Sequence, residues 1–208
     1  MTVRRGLPAD LQERLARRVA IAERQTRAQI VTVVARQASP TGIGLLLAGA
    51  LIALALPGLV WAGGLVEDFP RLYLGQLGIL LLFVLLHFCS PMTRLLVPRR
   101  RRRVAASALA ADLFVRLGLG HSGGRGGVLL LVALAERHVE VIADHAAELA
   151  VPADTWEQAV AIFRREAEAG DLDGAFALTL SFIGDRLGRA LPRLPSDRSQ
   201  PSERLLLI

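Results

Sequence analysis

The chain has no lysine, so all 25 of its basic residues are arginine, set against 19 acids. A basic set this one-sided reflects a coding bias toward GC-rich codons more than a demand for bidentate chemistry at every position. There is a single cysteine, Cys89, which excludes an intramolecular disulfide framework and a cysteine zinc site. The N-terminal stretch Met1 to Arg36 is charged and amphipathic and lacks an early apolar core or a small-residue cleavage site, so it does not read as a secretory signal. Internal repeats are absent. Asp, Glu and Arg are also missing from two long stretches, Thr41 to Ala62 and Leu72 to Cys89.

Those two stretches are what the chain has in abundance. Hydrophobic residues make up 52% of it and the mean hydropathy is +0.42, values natural for a protein carrying two apolar spans. Each stretch approaches or exceeds the roughly 20 helical residues that cross a bilayer core. Because a helix satisfies its own backbone polar groups, lipid is a tolerable solvent for both. The expectation is a transmembrane hairpin over residues 41–90, with spans 41–62 and 72–89. A hairpin returns the chain to the side it left, so the flanking parts share one compartment and can fold together. Arg27 and Arg36 precede the first span, and Arg94 and Arg99 to Arg103 follow the second, whereas the intervening loop offers Arg71 against Glu67 and Asp68. Short basic flanks stay cytoplasmic, and Trp61 and Tyr73 fall together at the opposite interface. The expected location is the bacterial inner membrane, N-in and C-in, with the soluble part cytoplasmic. The lipid bilayer is then a partner, and Gly44, Ala48, Gly49, Gly75 and Gly78 allow close helix approach, either within the hairpin or between copies as a homo-oligomer.

Outside the hairpin roughly 140 to 150 residues remain, the size of one modest domain. Leu11, Leu15, Val19 and Ala22 recur at helical spacing, and Asp10 with Glu13 reads as a capping box. Ile30 to Val34 is a β-branched run and reads as a buried strand. After the arginine run, Leu109, Leu113 and Leu117 with Ala106, Ala110 and Phe114 make a helical face. The glycine-rich stretch Gly118 to Gly127 reads as a flexible connector. Val128 to Leu134 is apolar without interruption, as in a strand covered on both faces, and Val139 to Ala143 follows as its hairpin partner. Two helices come next, opened by Asp154 and Asp171 and closed by Pro192 and Pro195. Residues 193–208 lack periodicity and read as a disordered tail. The expected organisation is 1–38 as first helix and strand, 41–90 as hairpin, 104–192 as the rest of the same domain, and 193–208 as tail. Ile30 to Val34 should lie parallel beside Val128 to Leu134, because either strand alone would expose apolar edges.

Three blocks carry a family resemblance: LQERLARRVAIAERQTRAQIVTVVA from Leu11 to Ala35, LFVRLGLGHSGGRGGVLLLVALAERHVEVIAD from Leu113 to Asp144, and FRREAEAGDLDGAF from Phe163 to Phe176. The sequence resembles the TPM-domain family, with the middle block the most specific. The resemblance implies an α/β fold, a three-layer α/β/α TPM-like domain interrupted here by a transmembrane helical hairpin. Some members of the family are associated with phosphatase activity and with calcium. Two departures stand out. Where family members place a glycine-containing segment after the second strand, this chain has Asp144, His145, Ala146, Ala147 and Glu148, and the family's long connection after the first strand is replaced by the hairpin.

Residues with ligand chemistry cluster near the end of that second strand. Asp144, His145 and Glu148 are the candidate divalent-metal ligands: carboxylates suit calcium or magnesium, and imidazole suits zinc. His121, His138 and Asp112 are further candidates, with His138 and Asp144 on one face of a regular strand. The opposing reading is that these are solvated acids and polar strand ends. The glycine stretch lacks the Lys-Ser or Lys-Thr ending of a phosphate-binding loop. The arginine run follows a span directly and has no interleaved aromatics, so anionic lipid, not nucleic acid, is its expected contact. The sequence therefore points to a membrane-anchored, non-catalytic binding or assembly module that contacts other membrane proteins, with no certain cofactor and calcium as the metal to test. The alternative is a divalent-metal-dependent, acid phosphatase-like hydrolase at the membrane surface.

Overall fold

In the computed structural model, the described residues are 8–38, 41–64, 69–88, 99–194 and 205–208. They divide into two compact units, one formed by residues up to 38 together with 103–208, the other by residues 39–102.

The first unit begins with helix α1, Ala9–Gln25. Its buried positions Leu11, Leu15, Val19 and Ala22 lie on one stripe, and Arg14 reaches back to Asp10 one turn earlier at 3.0 Å. Asp10 sits inside the first turn. The start is made by Pro8, whose carbonyl accepts from the Leu11 and Gln12 amides, so the expected capping box does not form. Strand β1, Gln29–Ala35, follows. The chain leaves the unit and returns through helix α4, Arg99–Arg116, then a 3-10 turn at Leu119–His121, strand β2, Gly127–Ala133, and strand β3, His138–Ala143. Three helices complete it: α5, His145–Ala150, α6, Thr155–Glu168, and α7, Leu172–Ala190. A last strand, β4, spans Leu205–Leu207.

The sheet order is β3-β2-β1-β4. β1 and β2 run parallel from Gln29↔Gly127 to Ala35↔Ala133, as expected of two apolar strands whose edges need partners. β3 is antiparallel to β2, and β4 is parallel to β1. Alternation along each strand sends the two sets of side chains into separate cores. Ile30, Val34, Val128, Leu130, Val132 and Val139 pack with α1, α6 and α7, whereas Val31, Val33, Leu129 and Leu131 pack with Ala110 of α4 and Leu119. The result is a mixed α/β fold with a four-stranded sheet and helices on both faces.

Two features lock α7 to the N-terminal segment. Gly184 lies so close to α1 that a Cβ there would stand 3.1 Å from Ala22. Thr26 donates to the Leu191 carbonyl at 2.7 Å and accepts from the Ala28 amide, which pins the end of α7 to the turn before β1. Phe163 and Phe176 meet edge to face at 5.0 Å between ring centroids, joining α6 to α7.

Three sequence expectations are corrected. Residues 193–208 are not wholly a tail without structure, because Leu205–Leu207 pairs with β1. The stretch 118–127 is ordered: it contains the 3-10 turn, and Gly127 is placed where a Cβ would come within 2.3 Å of the Leu119 carbonyl oxygen. A short helix, α5, stands where polar residues were expected simply to close a strand.

The second unit holds helix α2, Thr41–Ala62, of 22 residues and helix α3, Phe69–Phe88, of 20 residues. Gly49 lets them approach, since a Cβ there would lie 2.3 Å from the Phe83 ring. Large aliphatic side chains point outward, Leu51 at 67% and Leu54 at 72% exposure among them. Among the described residues no helix is long and apolar enough to cross a membrane. The spans expected over 41–62 and 72–89 thus appear as the helices α2 and α3, the second starting at Phe69, without the apolar length that a bilayer crossing needs among the described residues.

Candidate functional site

The residues singled out for chemistry meet where β2 begins and β3 ends. The antiparallel register sets Val128 opposite Ala143, and the Asp144 amide extends the ladder by donating to the Gly127 carbonyl at 2.8 Å. Asp144 then turns out of the sheet and caps α5, with Oδ1 accepting from the Ala147 amide at 2.8 Å. Such a cap satisfies one of the orphan amides that every helix start carries. Its second oxygen, Oδ2, accepts from the Ser122 hydroxyl. Ser122 Oγ itself accepts from the Gly126 amide at 3.0 Å, and the Ser122 carbonyl accepts from Arg125 Nε at 3.1 Å. Asp144 and Ser122 are each only 7% exposed.

This geometry corrects the picture of Asp144 as a solvated surface acid. It is a buried pin that ties three pieces of chain together: the glycine-rich turn, the end of β3 and the start of α5. Glycine is required locally for the same reason. Gly126 has φ of +92° and sits against Leu191 and Ala28, a backbone state that a side chain would strain.

The other candidates are dispersed. His145 and Glu148 lie on α5 with exposed side chains. His138 starts β3 and Asp144 follows its end, so they stand about 20 Å apart along the strand and form no common site. His138 Nε2 instead lies 2.9 Å from Glu140 Oε2, which also accepts from Ser107 Oγ of α4 at 2.7 Å. Asp112 forms an ion pair with Arg116 one turn later at 2.8 Å. Among the described residues no three His, Cys, Asp or Glu side chains are grouped as a metal ion would need. Both Asp144 oxygens already accept hydrogen bonds within the fold. The donor set that a divalent cation requires is therefore not assembled by Asp144, His145 and Glu148 as they stand.

Two functional positions escape a reading by residue type. Ser122 is concealed inside a stretch whose composition signals only flexibility. Glu23 of α1 is buried and accepts from the Ile30 amide at 3.0 Å, closing the free edge of β1 just before β4 begins. The signal for the Asp144 cap was available, because Asp144 precedes Ala146, Ala147, Glu148 and Leu149, a run of good helix formers.

Residues 95–186 match the TPM domain. No curated protein matches the chain at a significant level. The fold is similar to the NMR structure of the BA42 protein from the psychrophilic bacterium Bizionia argentinensis, with a TM-score of 0.59 and 13% sequence identity, over 99% of this chain and 98% of that one. At that identity the likeness speaks to fold alone.

Proposed function

We propose that this chain is a non-catalytic binding or assembly module of the bacterial inner membrane, with a TPM-like domain tethered at the cytoplasmic face by the hairpin of α2 and α3. The observation that carries the membrane reading is the outward-facing aliphatic surface of the second unit. Leu47, Leu51, Leu54 and Leu59 of α2 and Leu74, Leu81 and Leu85 of α3 are exposed, and a run of exposed aliphatic side chains marks a surface made for contact with lipid or protein. No ionisable side chain interrupts α2, and Arg71 lies at the start of α3. Ten residues separate the end of α3 from the arginines Arg99 to Arg103, near enough for anionic headgroups to favour them.

The non-catalytic part of the reading is supported by Asp144. This acid is buried and both its oxygens accept hydrogen bonds within the fold, the arrangement of a structural cap and not of a free nucleophile.

Washing membranes with alkaline carbonate tests the anchoring. The chain should remain in the pellet, and release into the supernatant would overturn it. Gentle solubilisation followed by affinity capture should bring down a stoichiometric membrane-protein partner. Turnover of a generic phosphate ester that depends on a divalent metal and is lost in Asp144→Ala would replace this reading with the phosphatase one.

A further inference from the structure

We propose that the edge of β1 from Thr32 to Arg36 is a strand-acceptor site, that Leu205–Ile208 is its occupant in cis, and that an extended apolar segment of a partner protein takes its place.

The acceptor and its occupant are unequal. Thr32, Val33 and Val34 are fully buried, and β1 meets β2 along its whole length on the opposite side. On the acceptor side, only Leu205, Leu206 and Leu207 pair with Thr32, Val33 and Val34. Two further bonds extend the contact, Ile208 N to Val34 O at 3.1 Å and Arg36 N to Ile208 O at 2.7 Å. The occupant is short and half in solvent, with Leu207 at 43% and Ile208 at 52% exposure. Residues 191–204 join it to α7, with prolines at 192, 195 and 201.

An apolar central strand cannot be left with a bare edge, because buried amides and carbonyls need partners. Release of β4 therefore creates a demand for another strand in the same place, and binding takes the form of exchange. The frame also sets what fits. Leu205 packs toward the core shared with α1, and Leu206 toward the core shared with α4, so two consecutive positions must both be apolar, one for each face. Glu23 occupies the amide of Ile30 and so ends the acceptor at that point, which fixes where a visiting strand begins. The recognised class is thus an extended peptide segment with at least two adjacent apolar residues, added parallel to β1, the sheet-extension mode of peptide binding.

This inference rests on the binding reading above and names its partner class. The test uses the whole chain in detergent or nanodiscs and a fluorescent peptide, SERLLLI, of the sequence of residues 202–208. Three chains are compared: wild type, a deletion of 205–208, and Leu206→Asp. The two altered chains should bind the peptide at least about tenfold more tightly than wild type, whose own β4 competes for the site. Unlabelled peptide in excess should also restore the melting temperature of Leu206→Asp, a readout that holds even where the deletion does not fold. A peptide carrying the Leu206→Asp change should not bind. No saturable binding to a cooperatively melting variant, no restoration by peptide, or equal binding of both peptides would overturn the proposal. A wild-type dimer that the peptide dissociates would seat a second copy in the site and overturn the partner assignment. Because capture of a membrane partner is read separately, failure here and failure of the binding reading are distinguishable.

Discussion

Glu23, near the end of α1, accepts a hydrogen bond from the amide of Ile30 at 3.0 Å, so a helix carboxylate finishes a strand edge that the last strand does not reach. Replacing Glu23 with alanine leaves a buried N–H without its partner and should cost about 1–3 kcal/mol. Glu23→Gln keeps an acceptor in place and should lose less. Thermal melts of the detergent-solubilised chain compare the two, and equal losses would argue that packing, not the bond, is what matters.

Asp144→Ala should destabilise the domain by about 1–3 kcal/mol, because it removes a helix cap and strands the Ser122 hydroxyl. Asp144→Asn retains the cap acceptor and should be milder. The same melts run with calcium, magnesium or zinc should shift wild type and Asp144→Ala alike. A shift present only in wild type would assign a metal to this corner.

Gly127→Ala places a Cβ 2.3 Å from a backbone carbonyl of Leu119, an atom that cannot swing aside. The expected loss is about 1–3 kcal/mol or more. Gly123, with nothing within 4 Å but φ of +65°, should lose only the roughly 1–2 kcal/mol of a left-handed residue on change to alanine. Denaturant midpoints of the two variants should therefore differ in that order.

In the paired helices Gly49 and Gly78 are unlike. Gly49→Leu collides with Phe83, whereas Gly78 meets nothing within 4 Å. Gly49→Leu should make the helix pair sensitive to protease, and Gly78→Leu should leave it resistant. If copies associate through the small residues of α3, only Gly78→Leu should convert the oligomer to monomer by size exclusion while the pair stays intact.

The arginine distribution makes a topological prediction. A reporter fused after Ile208 should report the cytoplasm, and one inserted near Val66 should report the other side. The reverse pattern would move the domain across the membrane and change its partners.

Much of the sheet was legible because Ile30 to Val34 and Val128 to Leu134 are apolar runs of strand length whose edges need partners. The long helices were legible from period, since Leu11, Leu15 and Val19, or Leu180, Ile183 and Leu187, repeat over several turns. Short elements were not. Leu205–Leu207 and His145–Ala150 are too brief for any period to show, and β4 exists only because β1 supplies the other half of its ladder. The role of Asp144 as a buried cap is hard to read from sequence for a related reason. An acid's residue type states what it can bind, but Asp144 was committed by Ser122 and Ala147, one of them 22 positions away in a turn that looks like mere slack. Asp10 illustrates the reverse error: the pattern of a cap was present, but Pro8 had already begun the helix.

The insertion of the helix pair between β1 and β2 also bears on how the protein is made. β1 leaves the ribosome about 90 residues before its partner β2, and its other neighbour, β4, comes last of all. At about 5–20 residues per second, the first helix and strand wait roughly 5–20 s with both edges of an apolar strand unpaired. Pairing then has to close a loop that contains the entire second unit, a topology that slows folding. The whole second unit is therefore synthesised before β1 can meet β2, and the order of translation separates the forming of its helices from the closing of the sheet.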